Sequence, residues 1–133
     1  MSRENIEIVR KGLAAYSRRD VENFLSYLDP GIEFHSAVVG GAEGSVYLGH
    51  EGVRKWIADS DESFDEITTD LSEYRDLGDR VLAFGRIRAR GRESGLELDS
   101  ETGWVFTLRD GKLVKTEGFL SRAEALEAAG LSE

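Results

Sequence analysis

An α+β domain with a mostly antiparallel sheet is the fold class this sequence predicts. Apolar residues recur at helical spacing near the start, the period changes to two from Ile67 onward, and Asp110-Gly111 separates two alternating runs as a two-residue hairpin turn. The 133 residues fit a single domain, 1–133, with one hydrophobic core.

The elements follow in order. Ile6, Val9, Leu13 and Tyr16 mark a first helix, and Val21, Phe24, Leu25 and Leu28 mark a second after Asp20, whose carboxylate suits an N-cap. Asp29-Pro30-Gly31 reads as a turn, and Ile32, Phe34 and Ser36 then alternate with Glu33, His35 and Ala37 in a short strand. Gly40, Gly41, Gly44, Gly49 and Gly52 suggest a loop; without a preceding long apolar strand or a Gly-Lys-Ser/Thr, the phosphate-cradling patterns fail. Val53, Trp56, Ile57 and Phe64 mark a third helix. Strands are expected over 67–75, 80–90, 96–108 and 112–119, and the Ser121-Arg122-Ala123-Glu124 capping box opens a last helix that stops at Gly130.

Alternation assigns faces. Arg86, Arg88 and Arg90 share one row, and a tight turn near Ser94-Gly95 sets them opposite Glu101, Asp99 and Glu97, so the stripe reads as solvated cross-strand ion pairs rather than an anion site. The other row, Val81, Ala83, Gly85, Ile87 and Ala89, is small, and with Trp104, Phe106, Thr116 and Gly118 it either admits a close helix or lines a ligand cavity. Leu82, Phe84, Val105 and Phe119 lie on the opposite face, and this apolar row predicts a homodimer.

Composition removes several function classes. With 17 Lys+Arg against 26 Asp+Glu the net charge is −9, which opposes nucleic acids and anionic membranes as partners. No cysteine and only two histidines leave no thiolate chemistry and no His-rich metal site, so no metal and no cofactor is expected. No apolar run approaches a secretory or membrane-spanning segment, and the cytoplasm is the expected location.

Arg19-Asp20-Val21, the run Leu28-Asp29-Pro30-Gly31-Ile32-Glu33-Phe34-His35-Ser36, the run Tyr47-Leu48-Gly49-His50-Glu51-Gly52-Val53, Thr107-Leu108-Arg109-Asp110-Gly111-Lys112 and the tail from Arg122 to Leu131 carry a resemblance. In this order they resemble the SnoaL-like branch of the nuclear-transport-factor-2-like superfamily. The resemblance implies a strongly curved, mixed but mostly antiparallel sheet wrapped around N-terminal helices as a cone with one central pocket. Relatives of that fold include ketosteroid isomerases, polyketide cyclases, epoxide hydrolases, dehydratases and binding proteins, so residues must decide the function. Where the isomerases place a catalytic Asp on the first strand this chain has Ser36, and their oxyanion-hole Tyr and Asp correspond to Gly12 and Trp104. These departures argue against steroid isomerisation.

Two readings stay open. One is a cofactor-independent acid/base isomerase, cyclase or hydrolase on a small apolar substrate, with His35 as base and Tyr16 or Tyr47 as hydroxyl donor. His35 has the parity of Glu33, away from the core, so it serves the pocket only if a bulge reverses the strand. The other is a ligand-binding or dimer-forming accessory protein without catalysis. In either case Ser36, Trp56, Trp104, Phe106, Thr116 and Gly118 are the candidate ligand-binding residues.

Overall fold

The computed structural model describes residues 2–37 and 46–131. Gly40, Gly41 and Gly44 of the expected loop lie outside the described residues. Helices α1 (Ser2–Ser17) and α2 (Val21–Ser26) open the chain, and strands β1 (Leu28–His35) and β2 (Val46–Leu48) flank the undescribed stretch. Helix α3 (Gly49–Ser63) then leads into β3 (Phe64–Asp76), β4 (Arg80–Gly91), β5 (Glu97–Arg109) and β6 (Lys112–Phe119), and α4 (Arg122–Ala128) closes the order. The strands form one open mixed sheet, β2-β1-β6-β5-β4-β3, in which only β1 and β6 pair in parallel.

Local chemistry explains the element ends. Asp20 Oδ1 accepts from the Asn23 amide at the start of α2, and Ser121 accepts from the Glu124 amide at the start of α4. Asp110 and Gly111 both take positive φ, 53° and 76°, as a tight two-residue hairpin requires. The register of β4 on β5 sets Arg86 opposite Glu101, Arg88 opposite Asp99 and Arg90 opposite Glu97. The side chains choose differently within that frame. Arg86 and Arg88 share Asp99, Arg90 turns to Asp65 and Glu66 on β3, and Glu101 instead accepts from the Arg122 amide.

Leu28 and Phe64, expected in helices, begin β1 and β3, and Gly49 and Gly52, expected in a loop, lie in α3; three further details depart from the sequence expectation. Asp29-Pro30-Gly31 lies inside β1 rather than before it. Leu28 pairs with Leu113 and Glu33 with Lys115, so the stretch between them is a bulge, which suits a proline without an amide hydrogen. Asp29 Oδ2 accepts from Gly31 N–H at 2.9 Å, so turn chemistry survives inside the strand. Second, β2 is three residues long, too short for alternation to announce. Third, Gly85 opens no cavity space: a Cβ there would stand 1.9 Å from the Asp70 carbonyl oxygen, and β3 backbone fills the gap.

Both faces of the sheet are used. Val81, Ala83, Trp104 and Phe106 join the main core beneath α1, α2 and α3. The alternate residues Leu82, Phe84 and Val105 form a second cluster with Ala125, Leu126 and Ala129 of α4, against which Phe119 also packs. This corrects the dimer argument, because the chain's own last helix covers the apolar row assigned to a second copy. The cover is fastened by Arg122, whose guanidinium lies 3.9 Å over the Phe84 ring and bonds both carboxylate oxygens of Glu73 at 3.2 and 3.3 Å. The same contact, ahead of all other influences, holds the Glu73 carboxyl below the usual range. No described helix is long and apolar enough to cross a membrane.

Candidate functional site

A narrow cavity of about 50 Å³, measured as the space open to the centre of a water-sized sphere, lies between the helices and the inner face of the sheet. Helix α1 brings Tyr16 to it, α2 Phe24, α3 Trp56, β1 Phe34 with Ser36 just beyond its end, β5 Trp104 and Phe106, and β6 Thr116. The wall is aromatic. Tyr16 stacks on Trp56 with centroids 5.3 Å apart, Phe34 meets Trp56 at 4.4 Å, and Trp104 lies 6.1 Å from both Phe34 and Phe106. Such rings offer flat, rigid contact surface to a ring-shaped ligand.

Polar atoms are few. Trp56 Nε1 donates to Ser36 Oγ at 3.1 Å, which joins α3 to the end of β1. Tyr16 is the one titratable side chain among the described lining residues. Burial pushes its phenol above the usual tyrosine value, with Arg19 opposing and Asp61 adding to that shift, so the hydroxyl stays protonated at neutral pH. Arg19 is itself fixed by Asp61 at 2.6 Å just outside the lining. Thr116 is buried in the sheet wall opposite Phe106.

Tyr16, Ser36, Trp56, Trp104, Phe106 and Thr116 therefore meet around one space, and the other candidates do not. His35 follows Phe34 on β1 and points to the opposite face, where its Nε2 stands 3.4 Å from Glu33 Oε1. The β1 irregularity lies between Leu28 and Glu33, ahead of His35, so alternation is intact where a reversal was needed. Tyr47 is buried in the core but directs its hydroxyl to Asp59 Oδ2 at 2.9 Å. That bond, after the one from Lys55, lowers the Asp59 carboxyl pKa. Gly118 lies beneath the wall rather than in it: a Cβ there would stand 2.5 to 2.7 Å from the benzo edge of Trp104.

Phe34, Thr69 and Ile87 line the cavity although none was named as a candidate ligand-binding residue from the sequence. The signal was present for two of them, since Phe34 has the parity of Ser36 and Ile87 belongs to the inward row of β4. His50 is not among the described lining residues; its Nε2 is bonded to the Leu28 carbonyl at 2.9 Å, tying α3 to the start of β1. Among the described residues no three His, Cys, Asp or Glu side chains gather to hold a metal ion.

A family model described as the SnoaL-like domain matches residues 9–116. No curated protein matches the chain. Solved structures do. An NTF2-like protein of unknown function from Burkholderia pseudomallei is 24% identical, with 96% of this chain and 97% of that one covered and a TM-score of 0.80. TerC, co-crystallised with polyporic acid, is 26% identical over 93% of this chain and 96% of its own, TM-score 0.78. An NTF2-like protein from Burkholderia thailandensis is 26% identical over 93% of each chain, TM-score 0.77.

Proposed function

The chain belongs to the SnoaL-like domain family, and from that membership we propose that it binds a small, neutral, largely apolar ring compound in the cavity between its helices and its sheet. One observation carries the reading: apart from the hydroxyls of Ser36, Thr69 and Thr116, the described lining is aromatic and aliphatic, with Tyr16 as its single titratable side chain. An ionised ligand entering such a wall would lose hydration without gaining a counter-charge. A flat neutral one gains ring contacts with Trp56, Phe34 and Trp104. The co-crystal of TerC with polyporic acid supports a small organic occupant.

Binding is favoured over acid/base turnover for a geometric reason. A general base must come within hydrogen-bond reach of the proton it takes. His35 and Tyr47 are absent from the described lining: His35 lies on the opposite face of β1, its Nε2 3.4 Å from Glu33, and Tyr47 donates to Asp59. Tyr16 remains as a hydroxyl that can hold a ligand oxygen.

The test uses a convenient feature. The chain has two tryptophans, Trp56 and Trp104, and both line the cavity. Titration with indane, fluorene and 9-fluorenone should give a saturable, one-to-one change in tryptophan emission and calorimetric heat for at least one of them. No response from any of the three at its solubility limit overturns the binding reading.

A further inference from the structure

At about 50 Å³ the cavity is tighter than the space of about 150 Å³ that holds a single benzene in a protein core, so part of its wall must move to admit a ring compound. Behind one stretch of that wall lies a smaller crevice, about 10 Å³ on the same measure, lined by Tyr16, Arg19, Val21, Phe24 and Ile57. Tyr16 and Phe24 line both spaces, with their rings 5.4 Å apart, so these two aromatic side chains stand between them. Arg19 is the exposed member of the crevice lining. Its backbone ends α1: the Arg19 amide donates to the Tyr16 carbonyl at 2.9 Å, the Asp20 amide donates to the Ala15 carbonyl at 3.0 Å, and Arg19 takes a φ of 62°. That left-handed position crowds a Cβ and is most often filled by glycine. What arginine supplies there, and glycine would not, is a side chain that reaches α3 and bonds both carboxylate oxygens of Asp61, at 2.6 and 2.5 Å.

We propose that the ligand enters through this crevice, with the Arg19–Asp61 pair as a latch between the α1–α2 turn and α3: when the pair releases, Tyr16 and Phe24 part and the crevice joins the cavity. This rests on the ligand-binding reading above and adds to it the route of entry and the residues that control it. The latch suits the task because its two side chains are 52% and 47% exposed, and an ion pair in water is weak enough to break and re-form while both helices stay folded. A second ion pair provides the contrast. Arg54 of α3 bonds Glu22 of α2 at 2.6 Å, and neither residue lines the crevice or the cavity. It ties α2 to α3 without standing in the passage.

The experiment follows tryptophan emission by stopped flow as 9-fluorenone, or whichever of indane and fluorene binds, is mixed with the wild type, Arg19→Gly, Asp61→Asn and Arg54→Gln, with Kd measured separately by calorimetry. Arg19→Gly removes the latch and suits the backbone, and Asp61→Asn removes the charge and keeps the shape, so both should fold. In each of these two variants association and dissociation should both quicken about fivefold, the equivalent of about 1 kcal/mol off the opening step, while Kd stays at the wild-type value because the closed state still dominates. Arg54→Gln should keep the wild-type rates. Unchanged rates in either latch variant, a change in Kd without faster exchange, or equal quickening in Arg54→Gln overturns the proposal and leaves the binding reading standing. Absence of equilibrium binding by the wild type removes both.

Discussion

A methyl group at position 118 would meet three ring atoms of Trp104 at 2.5 to 2.7 Å, closer than side chains tolerate. No positive φ is involved at this residue, so the demand for glycine is purely steric. Gly118→Ala should therefore cost about 1 to 3 kcal/mol, the usual range for overfilling a packed site, seen as a lower urea midpoint together with altered tryptophan emission. An unchanged midpoint would mean that the indole moves at no cost and is not held by its neighbours. The same residue shows where sequence reading stops. The absence of a side chain was visible, and it was read as space for a ligand; what fills that space is a residue on the neighbouring strand. By contrast, the opposite orientations of Phe34 and His35 followed from alternation alone, because the strand is regular over the few residues that mattered.

At the scale of elements, α4 illustrates a signal read correctly and a consequence read incorrectly. The capping box and Gly130, with φ of 78°, define the helix from local chemistry. Its target was not legible, because period-two alternation identifies an apolar row without saying which segment covers it. Gly103 on β5 is where the two meet, since a Cβ there would stand 2.5 Å from Ala125 Cβ and 3.2 Å from the Phe84 ring. Gly103→Ala should lift α4 from Leu82, Phe84 and Val105 and lower stability by about 1 to 3 kcal/mol. Because α4 contributes nothing to the cavity lining, the ligand affinity of the folded variant should match the wild type. A large affinity loss without unfolding would show that the two faces of the sheet are coupled. The β1 bulge and β2 escaped prediction for related reasons: a proline-containing turn looks the same inside a strand as between elements, and three residues show no period.

Across the whole molecule, the cavity is assembled by chain closure. Parallel pairing of β1 with β6 brings Leu28 to Leu113 and Phe34 to Thr116, so the lining draws on α1, α2, α3 and every strand except β2. The sequence disclosed the order of elements apart from β2, and the resemblance supplied the closure that periodicity lacks. A ligand seated there contacts both layers of the main core but leaves the α4 cluster untouched. Binding to the folded state alone raises its stability by about 2.7 kcal/mol when free ligand is about a hundredfold above Kd. That gain is unevenly distributed, because amides that exchange only through global opening feel all of it and those released by local opening feel none. With saturating 9-fluorenone, amide hydrogen exchange should slow in α1 and in the centres of β5 and β6. The amides of α4, a seven-residue helix outside the cavity lining whose local opening leaves the cavity intact, should keep their ligand-free rates. Slowing confined to α4, or none in α1, would place the ligand outside the cavity between the helices and the sheet.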